Sequence, residues 1–338
     1  MTGRERVQRA LRFQSPDRAP RNLWALTGIR LWRKAEHEAL LQRFPEDFSG
    51  VGNPTQSKRA RGQPGVVGTN VDAWGCVWQV GEPGVQGEIK EPILGDWKAL
   101  DSWQPPWELL DQPDLSKVEE HCRATKRFVL AGTETRPFER MQFLRGSENL
   151  YVDLAYGTAE VMRLRAMLHE FFVREMEMWA ATGVDAVSFM DDWGSQNALL
   201  ISPEMWKELF KPLYAEYCAI LHKAGKFVFF HSDGHIATIY PDLIEIGVDA
   251  VNSQLFCMNI EDLGAKYRGR ITFWGEIDRQ HLLPFGTPEE VKEGVRRVRR
   301  ALDDGRGGLI AQCEWGVKDP AANIAAVFEA WEEPRPTS

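Results

Sequence analysis

From about residue 127 to the C-terminus, short apolar runs alternate with long stretches of helical periodicity, and this constrains the fold more than any other feature. Residues 128–131 (FVLA), 186–190 (AVSFM), 227–230 (FVFF), 250–254 (AVNSQ), 271–274 (ITFW) and 309–312 (LIAQ) read as strands. Helical patterns fall between and after them at 159–182, 203–224, 236–246, 287–302 and 320–331. Ser202 can cap the second of these and Pro203 suits its first turn. TPEE at 287–290 is a capping box. Strand alternating with helix predicts βαβ units and a parallel sheet. The motif GVDAV occurs at 183–187 and again at 247–251, each time leaving a helix at glycine and entering a strand, as in a repeating barrel.

Before residue 127 the pattern is less regular. Residues 22–26 (NLWAL) read as a first barrel strand, and 73–90, with its alternation and Gly/Pro turns, as a β-hairpin excursion. QPPWELLDQPD reads as a loop, and the remaining barrel strand falls near 48–51. Val7, Ala10 and Leu11 share one helical face, so the N-terminal segment reads as a docked amphipathic helix. The expectation is one (β/α)8 TIM barrel over residues 1–338, with an N-terminal extension and a hairpin insertion. Its structural rival is a doubly wound sheet, but no Gly-rich phosphate fingerprint follows any strand. The net charge of −8 argues against nucleic acid as a partner, and no apolar run reaches the ~18 residues of a membrane span. Cys76, Cys122, Cys218, Cys257 and Cys313 include no C-x-x-C pair, which argues against a disulfide framework and for a reduced, cytoplasmic setting.

A barrel concentrates its chemistry where the strands end. Those positions carry Thr133, Glu134 and Thr135; Asp191 and Asp192; His231, Asp233 and His235; Gln254; Glu276 and Asp278; and Cys313 and Glu314. Acidic residues there often do no more than cap helices, which accounts for Asp191 or Asp192. A histidine and a cysteine are less readily explained that way. His231 and Asp233 are two residues apart, so at the end of an extended strand their side chains point the same way. Cys313, at the end of the last strand, is expected in the same space. Imidazole, carboxylate and thiolate together would make a zinc site with one position open. The competing reading is a hydrogen-bonded histidine and a cysteine buried as a small hydrophobe.

Several segments resemble the uroporphyrinogen decarboxylase superfamily, in particular its branch of cobalamin-linked methyltransferases. They are RERVQRALRFQSPDRAP near the N-terminus, PFERMQFLRGSENLYVDL from Pro137, DDWGSQNALLISPEMWKELFKPLY from Asp191, HSDGHIATIYPDLIEIGVDAVN from His231 and FWGEIDRQHLLPFGTPEEV from Phe273. The resemblance implies a (β/α)8 barrel, often dimeric. The decarboxylases carry an Arg-rich motif in a region that here reads NLWALTGIRLWRK, with only Arg30 and Arg33 and an apolar character. The methyltransferases bind zinc through His-x-Cys on one strand and a later Cys. His231 and Cys313 match that pattern, and Asp233 replaces the first cysteine, so either Asp233 or Glu276 would complete the set. One thiolate with a carboxylate leaves a harder ion than two thiolates do. The expected activity is therefore O-demethylation of a methoxylated, aromatic small molecule. Asp191, Asp192 and Gln254 would orient the substrate, Trp24, Trp193, Trp274 and Trp315 would wall the pocket, and a separate corrinoid protein would carry the cobalamin. Methyl transfer to a thiol, a metal-free decarboxylation and a non-catalytic tetrapyrrole-binding barrel are the alternatives.

Overall fold

The computed structural model describes residues 1–85 and 87–334. Eleven strands are present among them: β1 (Arg21–Ala25), β2 (Phe48–Val51), β3 (Gly68–Val71), β4 (Val77–Val80), β5 (Glu88–Ile89), β6 (Phe128–Gly132), β7 (Ala186–Met190), β8 (Phe227–Ser232), β9 (Ala250–Ser253), β10 (Thr272–Trp274) and β11 (Leu309–Trp315). Eight form one parallel sheet in the order β1-β11-β10-β9-β8-β7-β6-β2. With helices outside, this is the expected (β/α)8 barrel, and the strand expected near residue 48 is β2. The insertion is larger than a hairpin. It is a three-stranded antiparallel sheet, β3-β4-β5, because 68–71 also pairs.

Alternation along each strand sorts the core into two layers. Phe48, Phe128, Ala186, Phe229, Ala250, Trp274 and Ile310 fill the barrel interior. Val129, Val187, Phe230, Val251, Phe273, Ala311 and Cys313 face outward, in the layer shared with the helices. The helix Gly3–Leu11 starts in a capping box at Thr2 and Glu5. Its Val7 and Leu11 join the interior cluster, so it closes the barrel floor. The helix expected over 203–224 is two, Pro203–Leu209 and Lys211–Lys223. Pro212 accounts for the break, since it has no N–H and its ring clashes with the preceding turn. The pattern at 236–246 similarly divides into a 3-10 turn, Ala237–Ile239, and a short helix, Tyr240–Glu245, with Pro241 in its first turn.

The repeated GVDAV has a structural job. Asp185 accepts a hydrogen bond from Val129 N (2.7 Å) and Asp249 one from Val228 N (2.8 Å). Their own backbone N–H groups donate back to the Val129 and Val228 carbonyls, each at 3.0 Å. Asp47, outside any repeat visible in the sequence, does the same with Arg21 (2.7 and 3.0 Å). Each aspartate thus ties the entrance of its own strand to that of the preceding one.

The ladder does not run all the way round. Asp47 joins β2 to β1 at the floor, but above it the strands diverge, and the side chain of Glu46 takes the Leu23 N–H (2.9 Å). A cavity of about 620 Å³ occupies this seam, lined by Trp24, Arg30, Glu46, Gly50, Gly132, Ser188 and Trp274 among others.

Candidate metal centre at the barrel mouth

His231 lies on the inward face of β8 and is buried. Its Nδ1 is 2.6 Å from the Asn252 Oδ1. The Asn252 amide in turn donates to the Trp274 carbonyl and to Gln312 Oε1 (3.1 Å), so its oxygen is the end turned to the imidazole. This network assigns the proton to Nδ1 and presents Nε2 as a lone pair to the mouth. The ring of Trp24 packs against the imidazole at 5.1 Å.

Two carboxylates face that lone pair. Asp192 Oδ1 and Asp233 Oδ1 each lie 3.5 Å from His231 Nε2. The loops after β7 and β8 lock them together: Asp233 N donates to Asp192 Oδ1 (2.8 Å) and Gly194 N to the Asp233 carbonyl (3.1 Å). Glycines permit this approach. A Cβ on Gly234, which has φ +79°, would lie 2.1 Å from the Gly194 carbonyl oxygen, and one on Gly194 would lie 2.4 Å from His235 N. Asp233 Oδ2 is ion-paired with Arg279, which also reaches Glu314 at 3.2 Å. Asp233 Oδ1 is buried and has no hydrogen-bond partner.

An orphaned carboxylate oxygen, a second carboxylate oxygen and an imidazole lone pair, all within 4.8 Å of one another, fit a divalent cation. The expected pairing of His231 with Asp233 is therefore present, and Asp192, expected to orient substrate, lies in the same cluster. Cys313 does not join them. β11 stays extended through Trp315, so alternation turns Gln312 and Glu314 inward and Cys313 out among the helices. Burial, reinforced by the Glu276 charge, holds its thiol well above the usual range. Glu276 also lies outside the cluster. It is 2% exposed, its Oε1 lacks a partner, and the Arg279 guanidinium is 3.8 Å away. Burial pushes its carboxyl up to about 8 despite that guanidinium.

Asp191 is fully buried and accepts from Phe138 N and Glu139 N, 2.7 Å each, and from the Tyr214 hydroxyl. It caps the helix Pro137–Arg145 and, fully buried, presents no exposed oxygen to orient a substrate. Gln254 accepts from Gly234 N (3.1 Å) and so shapes the loop carrying Asp233. Trp24 stands against His231 at the mouth, Trp274 belongs to the buried barrel interior beside the seam, and Trp193 and Trp315 are core. Asn252, Gln312 and Arg279 were not expected, whereas Glu314 was among the strand-end positions. The signal for the first two was a polar residue within an otherwise apolar strand.

Fold and cluster define a (β/α)8-barrel protein with a cation-capable acid–imidazole centre at its mouth. The chain belongs to the uroporphyrinogen decarboxylase (URO-D) family, whose model matches residues 68–334. It is 21% identical to the methylcobamide:CoM methyltransferase MtbA of Methanosarcina mazei, over 97% of each chain. A solved methyltransferase structure from Methanosarcina mazei superposes with a TM-score of 0.71 at 15% identity, covering 98% of each chain, and has the same fold. No helix among the described residues is long and apolar enough to cross a membrane.

Proposed function

We propose that the chain is a metal-dependent methyltransferase that works with a separate corrinoid protein and takes the methyl group from the oxygen of a methoxylated aromatic compound. The carrying observation is the donor set of Asp192, His231 and Asp233, with its unpartnered Asp233 oxygen. Zinc is the ion we assign to it. A nitrogen and two carboxylate oxygens, without a thiolate, make a hard site. Bound there, the ion supplies Lewis acidity that stabilises negative charge developing on an oxygen atom. The chain-wide similarity to MtbA supports the methyltransferase and corrinoid parts of this reading.

The chain's own groups have separable tasks. Asn252, held by Gln312 and the Trp274 carbonyl, fixes the His231 tautomer. Arg279 occupies Asp233 Oδ2 and leaves Oδ1 facing the imidazole. Glu276, whose carboxyl burial pushes up to about 8, is the chain's candidate proton donor to a departing phenolate. Trp24, its ring packed on the imidazole and backed edge-on by the buried Trp274, offers an aromatic wall for a flat substrate.

Metal analysis of the purified protein should find about one zinc per chain, and Asp233→Ala or His231→Ala should lose most of it. Full occupancy in both variants would overturn the site. Turnover with methoxyarenes and a corrinoid protein tests the reaction. A wild type that methylates thiols from the corrinoid and ignores methoxyarenes would favour the direction named for MtbA.

A further inference from the structure

A second polar cavity lies between the insertion sheet and the helix Pro137–Arg145. Its volume is about 220 Å³, and Asn70, Asp72, Glu134, Arg136 and Arg140 line it with Phe143 and neighbouring residues. Three nitrogen donors in that lining are buried without a hydrogen-bond partner: Asn70 Nδ2, Arg136 Nε and Arg140 Nε. Asn70 and Arg140 are 5% and 4% exposed. The Arg140 side chain also has the Cys76 sulfur beside it as a weak acceptor. Buried donors left unpaired are destabilising, so several around one cavity call for an acceptor.

The acidic residues of the lining do not fill that role. Asp72 spends Oδ1 on Trp74 N and Cys76 N, and Oδ2 on the Trp78 indole and Arg140. Glu134 Oε2 accepts from the Trp74 indole and Arg140. Arg136 has one ion pair, to Glu139 at 3.7 Å, beyond hydrogen-bonding distance. Its guanidinium is therefore the charge in the lining with planar donors to spare, a geometry that matches a carboxylate.

We propose that this cavity binds the carboxylate of a small organic acid, with Arg136 as the charged partner and Asn70 as a second donor. The acid is either the methyl donor itself, which would then be a methoxylated aromatic carboxylate, or a separate effector. The first case rests on the function proposed above; the pocket does not.

Equilibrium binding to the full-length protein tests the proposal independently of turnover. The probes are benzoate, 4-methoxybenzoate and neutral 4-methoxybenzyl alcohol, followed by calorimetry. Both carboxylates should bind, and the alcohol at least about tenfold more weakly. Arg136→Gln should abolish that preference, and Asn70→Ala, which keeps the guanidinium, should weaken carboxylate binding while thermal melting shows both variants folded. Equal binding of acid and alcohol, or unchanged carboxylate affinity in Arg136→Gln, would overturn it. Two further outcomes separate the sources. Benzoate competing with 4-methoxybenzoate in methyl transfer places the donor's own carboxylate here. Benzoate that binds with the Arg136 dependence but leaves the KM for a methoxyarene unchanged assigns the pocket to a separate acid.

Discussion

At the level of single residues, two neighbours on β11 separate ion-holding from packing. Cys313 sits in the outer hydrophobic layer, while Gln312 belongs to the chain that orients His231 through Asn252. Cys313→Ala should therefore keep its full zinc content and lose about 1–2 kcal/mol of stability, the cost of a small buried cavity. Asn252→Leu should do the reverse for the ion. With no acceptor on Nδ1 the imidazole loses its fixed tautomer, and zinc affinity should fall roughly 10–100-fold. Metal titration beside chemical denaturation separates the two effects, and zinc loss in Cys313→Ala would restore the thiolate to the site. The sequence pointed to His231 and Asp233 because a spacing of two fixes a shared direction at a strand end. It misplaced Cys313 because the end of β11 is not written in local composition. Three more residues of extended strand reverse nothing in LIAQ, yet they decide which way residue 313 faces.

Among elements, the aspartate ties at the strand entrances carry a measurable share of barrel closure. Removing the Asp249 carboxylate leaves the Val228 N–H without its acceptor (2.8 Å). Asp249→Ala should cost about 1–3 kcal/mol and speed hydrogen exchange at Val228. Unchanged protection at that amide would show that the tie is dispensable. Much of this scale was legible: the strand–helix alternation, the capping box at Thr287 and the GVDAV echo all have physical counterparts. The helix breaks at Phe210 and Tyr240 were less so, since Pro212 and Pro241 also suit a first turn, and periodicity alone does not say whether one helix or two carry it. Strand β3 was missed because GTNV lacks the apolar alternation of its partner β4, and its pairing is non-local.

For the whole molecule, buried carboxylates set how stability varies with pH. Glu175, fully buried on the helix Ala159–Ala180, accepts from Glu134 N (2.9 Å) and the Thr135 hydroxyl (2.8 Å). Burial pushes it up to about 7, the backbone hydrogen bond from Glu134 opposing that only in part. Its folded-state value is raised, so the folded protein holds a proton the unfolded chain has released. The contribution is complete below about 4.5 and is lost as pH rises to about 7, up to roughly 3 kcal/mol. The melting temperature should therefore fall between pH 5 and 8, and Glu175→Gln should fall less. A parallel decline in both proteins would place the effect elsewhere.

The seam between β1 and β2 has a mechanical consequence. A hoop with one slit is stiff everywhere except across the slit, and here the free lip is β1, which remains riveted to β11 from Arg21 to Ala25. That lip carries Trp24, whose ring leans on His231. Anything that wedges the slit wider pulls on the indole and, through β11, on Gln312, the outer link of the chain that holds the imidazole. The width of the opening and the set of the histidine are two readings of one spring.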